Sequence, residues 1–234
     1  MKIQHKSLNY TGSKFGAGVY QNIINEIPPH GVYVELFGGS GAIIKIKKPA
    51  IHQNTICEIS RSVIDKSNYP TGVTTICTCG MVYFKSINHL PAMINTFVYA
   101  DPPYEIKARR AGRLYYANEW TDEQHYDLSQ LLKSTLAMVA VSCYRSELYD
   151  ELYSGWRFKE FNSMTRRGVR KECVYFNYPV PEQLHEYTFL GKNKTDRQRI
   201  ARKIIAFQQK IFSLPPLERE ALLSSLQSGY KNNL

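Results

Sequence analysis

Short apolar runs alternate with helix-length segments along most of this 234-residue chain. The runs lie at about 32–36, 54–58, 74–79, 97–100 and 137–142. Helices are expected from about Ala42, over 59–67, over 121–133 and over 146–153, with a helical or irregular link before residue 97. Alternation of this kind implies a mostly parallel sheet covered by helices. Two late runs, at about 156–161 and 172–178, break the pattern. Only a short basic stretch, Ser163 to Lys171, joins them, and so tight a connection forces the pair antiparallel. The expectation is an α/β fold with a mostly parallel sheet and a reversed terminal strand.

The run Phe97-Val98-Tyr99-Ala100 ends in Asp101-Pro102-Pro103-Tyr104. The prolines cannot continue a ladder, so a carboxylate, a stiff turn and an aromatic ring leave one strand end together. In an open α/β sheet that end is where ligands bind. A flat base bearing an amino group suits this set: the ring stacks, and the carboxylate and a turn carbonyl accept N–H bonds. By itself the tetrapeptide also reads as an ordinary surface turn.

A second signal lies upstream. Val32-Tyr33-Val34-Glu35-Leu36 leads into Phe37-Gly38-Gly39-Ser40-Gly41, a strand followed by a glycine-rich turn that lets backbone approach a ligand closely. It is not the three-glycine dinucleotide pattern. Glu58 ends the next strand about 20 residues later, a spacing at which a carboxylate can take ribose hydroxyls.

Tyr10-Thr11-Gly12-Ser13-Lys14, then Phe37-x-Gly39-x-Gly41, then Asp101-Pro102-Pro103-Tyr104, in that order, resembles the Dam-like DNA adenine-N6 methyltransferases, especially their short phage and prophage forms. The resemblance covers most of the chain and continues through Glu172–Tyr178. It implies a Rossmann-like methyltransferase fold that moves a methyl group from S-adenosylmethionine to the exocyclic amine of adenine, leaving S-adenosylhomocysteine and needing no metal. By the same resemblance Asp101 and a carbonyl of the Pro102-Pro103 turn would hold the amine, and Tyr104 would stack on the flipped adenine. Phe37, Gly39 and Gly41 would line the cofactor, with Asp101 also touching it, Glu58 would take its ribose, and Tyr10 and Lys14 would sit at its methionine end, where an ammonium can meet a carboxylate. Two departures stand out. Ile76-Cys77-Thr78-Cys79-Gly80 lacks the acid that often contacts the cofactor's adenine. Only about 20 residues separate Gly80 from Asp101, too few for the inserted recognition domain of relatives with a defined target, so a short or relaxed target is expected.

Charge points to a polyanionic partner. The net charge is +10, and the segments 105–113, 157–171 and 192–210 together carry +14, so the rest of the chain is negative. Lys107, Arg109, Arg110, Arg113, Arg166, Arg167, Arg170 and Lys171 are the expected contacts to duplex DNA. Tyr115, Tyr116 and Trp120 either line a base pocket or pack at the start of a helix. Five cysteines without CxxC spacing read as free thiols rather than a metal set.

The composition shifts after Pro179. The expected division is a catalytic domain over 1–180 and a helical extension over 181–234. Ile200, Ile204, Phe207 and Ile211 recur at helical spacing, and Pro215-Pro216 precedes a second helix. This hairpin offers one apolar side to the catalytic domain or to a second copy, so the chain is expected to be a monomer or a homodimer. No run reaches transmembrane length, and a cytoplasmic location in a bacterial or phage-infected cell is expected. Besides DNA adenine methylation, the residues admit an RNA adenine methyltransferase or a basic DNA-binding protein that has lost catalysis.

Overall fold

The computed structural model describes residues 12–16, 18–109, 112, 114–115, 118–165 and 168–231. A seven-stranded sheet runs in the order β3-β2-β1-β4-β5-β7-β6. Its strands are β1 (Val32–Leu36), β2 (Gln53–Cys57), β3 (Val73–Ile76), β4 (Thr96–Ala100), β5 (Met138–Cys143), β6 (Arg157–Thr165) and β7 (Gly168–Phe176). The first five are parallel, and β7 joins β5 and β6 antiparallel. This is a Rossmann-like sheet, mostly parallel, with a reversed strand near one edge.

The helices are α1 (Val19–Ile24), α2 (Ala42–Ile46), α3 (Arg61–Ser67), α4 (Gly80–Ile87), α5 (Asp122–Lys133), α6 (Glu147–Leu152), α7 (Lys194–Phe212) and α8 (Pro216–Lys231). Residues Gly80 to Asp101 hold only α4, a 3₁₀ turn at Pro91–Asn95 and β4. No recognition domain stands in that interval.

Strands buried on both faces read as continuous apolar runs, which is how β1, β4 and β5 appear in the sequence. Alternate residues feed two cores. Val34, Leu36, Val98, Ala100, Val139 and Val141 pack with Phe84, Leu128, Leu132 and Tyr149. Tyr33, Phe97, Tyr99 and Ala140 face the other way, toward Ile23, Ile24, Ile43 and Ile44. The second core contains α1, an element that apolar periodicity does not announce in a six-residue helix.

The reversed pair differs from the sequence expectation. Ser163 to Lys171 is not a connecting loop: the β6–β7 ladder continues out to Thr165 and Gly168. β5 reaches β7 only from Phe176 to Cys173. The outer residues, 161–165 and 168–172, therefore run past the carboxyl end of β5 as a two-stranded ribbon. A ribbon exposed on its outer part needs no apolar run, which is why hydrophobicity does not reveal it.

The chain divides into compact units Met1–Phe189 and Leu190–Leu234. Residues 181–189 lie in the first unit. His185 Nε2 donates to the Lys48 and Pro49 carbonyls, Glu186 accepts from the Lys48 N–H at 2.7 Å, and Phe189 meets Tyr20 edge-on. In the second unit Asn193 caps α7 by accepting from the Asp196 N–H, and Ile204, Phe207, Leu217 and Leu226 are exposed. Among the described residues no helix is long and apolar enough to cross a membrane.

Helix α5 begins with a reciprocal cap. The Gln124 N–H donates to Thr121 Oγ1, and the Thr121 N–H donates to Gln124 Oε1 at 3.0 Å. Thr121→Ala removes one side of that box and should cost about 1 kcal/mol. The urea midpoint should fall with an unchanged slope; an unchanged midpoint would show that the cap contributes nothing.

Candidate active site

Strands β1 and β4 are neighbours, with Leu36 opposite Ala100. That register sets the glycine turn beside the tetrapeptide, and the Asp101 N–H donates to the Leu36 carbonyl at 3.3 Å. Between them opens a cavity of about 390 Å³, lined among others by Phe37, Gly39, Glu58, Gly80, Asp101 and Trp120. That size suits a small-molecule site.

The turn is held from behind. Gly38 donates to the Cys57 carbonyl at 2.7 Å, and the Tyr69 and Ser67 hydroxyls both donate to the Gly39 carbonyl. Gly41 has φ +65°, and a Cβ there would stand 2.7 Å from the Tyr69 ring. Gly41 shapes the turn against Tyr69 and is not on the cavity wall. Phe37 takes φ 63°, uncommon for a side-chain-bearing residue, and its ring meets Trp120 edge-on at 5.1 Å.

Glu58 sits beneath the turn. One oxygen accepts from the Gly39 N–H and the other from the Ser60 N–H, both at 2.8 Å. A carboxylate has about four acceptor positions, so each oxygen keeps capacity for a ligand hydroxyl. The cavity wall nearby carries Ile59, Cys79 and Gly80 but no acid from the β3 end, as the sequence leads one to expect.

The N-terminal segment closes the site. Ser13 Oγ lies 3.0 Å from Ser40 Oγ. The Lys14 ammonium is buried and donates to Asp101 Oδ2 at 2.7 Å and to the Gly12 carbonyl at 2.9 Å. Burial raises the Asp101 pKa, the Lys14 charge opposes that rise, and Glu172 adds to it. Tyr10 lies outside the described residues.

Tyr104 is buried with its hydroxyl on Glu172 Oε2 at 2.9 Å and its ring 4.9 Å from the Lys14 ammonium. It stands beside Asp101 and is not among the residues that line the cavity. Pro103 is on the wall and Pro102 is buried. Tyr115 and Trp120 line the cavity; Tyr116 lies outside the described residues.

The basic residues fare differently. Arg109, expected on DNA, is buried. Its guanidinium pairs with Glu119 at 2.6 Å and donates to the Tyr104 carbonyl. It holds the chain after the tetrapeptide and does not face a phosphate. Lys107 is exposed and reaches Asp122 at 3.0 Å. Arg170 donates to the Tyr144 hydroxyl at 3.0 Å, and Lys171 is exposed on the ribbon. Arg110, Arg113, Arg166 and Arg167 lie outside the described residues.

Glu35 is the residue that sequence reasoning passed over. It lines the cavity from inside β1, and its Oε2 accepts from the Tyr33 hydroxyl and the Ile44 N–H, both at 2.9 Å. An acid inside an apolar run was the available signal. Burial raises its pKa to about 7. Among the described residues no three His, Cys, Asp or Glu side chains gather as a metal-binding group.

The family model for D12 class N6 adenine-specific DNA methyltransferases matches residues 81–170. The matched stretch carries the tetrapeptide; the glycine turn lies outside it. Among solved structures, a SAM-dependent methyltransferase from Agrobacterium tumefaciens is 13% identical with TM-score 0.46, covering 67% of this chain and 58% of that one. An O-methyltransferase of tomaymycin synthesis from Streptomyces achromogenes, solved with SAM, is 9% identical with TM-score 0.45, covering 66% and 76%. A precorrin-8W decarboxylase from Methanobacterium thermoautotrophicum is 9% identical with TM-score 0.40, covering 66% and 84%. No curated protein matches the chain.

The raised Glu35 pKa predicts a stability effect. A group that binds its proton more tightly when folded contributes most below its unfolded value, 4.5, and loses that contribution as pH rises through about 7. Glu35→Gln keeps the acceptor without the charge. It should match the parent in acid and be more stable than it above neutrality, by a few kcal/mol at most. Equal urea midpoints at both pH extremes would contradict this.

Proposed function

We propose that the chain is an S-adenosylmethionine-dependent DNA adenine-N6 methyltransferase acting on a base flipped from the duplex. The observation that carries the reading is the Leu36–Ala100 register, which sets a glycine-lined cavity and the Asp101 carboxylate side by side. The family match supports adenine as the substrate.

The cavity fits the cofactor on the chemistry of its walls. Glu58 would take the ribose hydroxyls, Gly39 would bring backbone close, and Phe37 would give an apolar face. When bound, S-adenosylmethionine supplies an electrophilic methyl group on a positive sulfonium. The adenine amine is a weak nucleophile because its lone pair is delocalised into the ring. Asp101 and a carbonyl of the proline turn accept its N–H bonds and favour a pyramidal nitrogen with the lone pair aimed at the methyl carbon. Their contribution is alignment and stabilisation of the charge that appears on nitrogen.

Lys14 belongs to the same chemistry. Its ammonium, 2.7 Å from Asp101, favours the carboxylate and opposes the rise that burial and the nearby Glu172 impose. Flipping costs a few kcal/mol, and stacking on an aromatic ring returns roughly 1–3 kcal/mol. The ribbon with Arg170 and Lys171 runs past β5 at the same sheet edge as Asp101, where it can grip phosphates. Without an inserted recognition domain, target choice falls to this ribbon and the 105–120 segment, and a short or relaxed target follows.

The direct test is incubation of the purified chain with labelled S-adenosylmethionine and duplex DNA, single-stranded DNA or RNA, followed by identification of the modified base. N6-methyladenine in duplex DNA is expected; no adenine methylation on any substrate sinks the reading. Asp101→Ala should abolish turnover while sparing cofactor binding, and equal loss of both would contradict its role.

Lys14→Met should raise the Asp101 pKa, because the ammonium that favours the carboxylate is gone. The acid limb of kcat/KM should therefore move to higher pH. A limb that stays in place, or moves down, would remove Lys14 from this role.

A further inference from the structure

Glu172 lies where the core of β7 gives way to the ribbon. Cys173 is the last β7 residue paired with β5, opposite Cys143, and Lys171 and Arg170 follow toward the turn. Its side chain is buried, with one oxygen taking the Tyr104 hydroxyl at 2.9 Å and the other 3.4 Å from Ser163 Oγ. The Tyr104 ring is also held from the side. Tyr144 meets it edge-on at 4.7 Å, and Arg170 of the ribbon donates to the Tyr144 hydroxyl at 3.0 Å. Ribbon residues therefore reach the tetrapeptide's ring twice, through Glu172 directly and through Arg170 by way of Tyr144.

An acid at this position is electrostatically unfavourable. It is buried and it opposes ionisation of Asp101. A leucine would fill the space without that penalty. A leucine could not fix the direction of a tyrosine hydroxyl, and with it the plane of the ring.

We propose that Glu172 is a positioning residue: through the Tyr104 hydroxyl it sets the ring against which the flipped base is received, and it ties that ring to the nucleic-acid-facing ribbon. This rests on the adenine methyltransferase reading. Phosphate contacts made by the ribbon and stacking made by Tyr104 are then mechanically joined, so a ribbon docked in register presents the ring in register.

The test uses the full chain and a duplex with 2-aminopurine at an adenine that the parent enzyme methylates. Glu172→Ala should lose about tenfold or more in kcat and most of the 2-aminopurine fluorescence rise, with the dissociation constant for S-adenosylhomocysteine unchanged. Glu172→Gln keeps an acceptor and should keep most of both signals. Tyr104→Phe should match Glu172→Ala, and the double variant should be no worse than either single one, because both remove the same bond.

Parent-like kcat and fluorescence in Glu172→Ala overturn the proposal, as do losses that multiply in the double variant. If Glu172→Ala fails to fold, Tyr104→Phe against Glu172→Gln carries the test. Full flipping by Tyr104→Phe, or a Glu172→Gln variant as impaired as Tyr104→Phe, overturns the proposal. A parent enzyme that methylates no adenine defeats the underlying reading and this inference with it. An active parent with a parent-like Glu172→Ala defeats the inference alone.

Discussion

The pairing of Leu36 with Ala100 is the constraint on which the site depends. Two parallel strands at the middle of a sheet must end at the same edge, and their following residues must therefore meet. Here those residues are a glycine turn and an acid-proline-proline turn. The turn is locked by Tyr69, Ser67 and the Cys57 carbonyl, while the prolines fix the exit of Asp101. The cavity follows from backbone geometry before any side chain is chosen.

Charge in this space is finely opposed. Glu35, Glu58 and Asp101 line the cavity, Glu172 stands beside it through Tyr104, and Lys14 is a buried cation paired with Asp101. Glu35 responds by holding its proton up to about pH 7. Asp101 is pushed the same way by burial and pulled back by Lys14. Gly12, Ser13 and Lys14 thus line the cavity although they belong to no strand of the sheet.

Much of this was legible in the sequence. Strands β1, β4 and β5 announce themselves because burial on both faces demands unbroken apolar runs, and the capped start of α5 is written in Thr121 and the acids after it. Asp101 and Glu58 stand where the motifs put them. Other features resist such reading for physical reasons. The outer part of the β6–β7 ribbon makes its inward contacts through polar residues, Ser163, Arg170 and Glu172, so it resembles a loop. Arg109 resembles a phosphate ligand because charge alone does not reveal a buried partner, and Glu119 supplies one ten residues away. Tyr104 was legible as an aromatic at the site, but its anchor on Glu172 depends on contact between residues 68 positions apart.

The proposed function requires that the cavity hold the cofactor with its reacting end toward Asp101. A crystal structure with S-adenosylhomocysteine bound tests this most directly. The ribose hydroxyls should lie on the Glu58 carboxylate and the sulfur should face Asp101 across the Phe37–Gly39 turn. A ligand whose ribose lies away from Glu58, or whose sulfur points away from Asp101, would contradict the account.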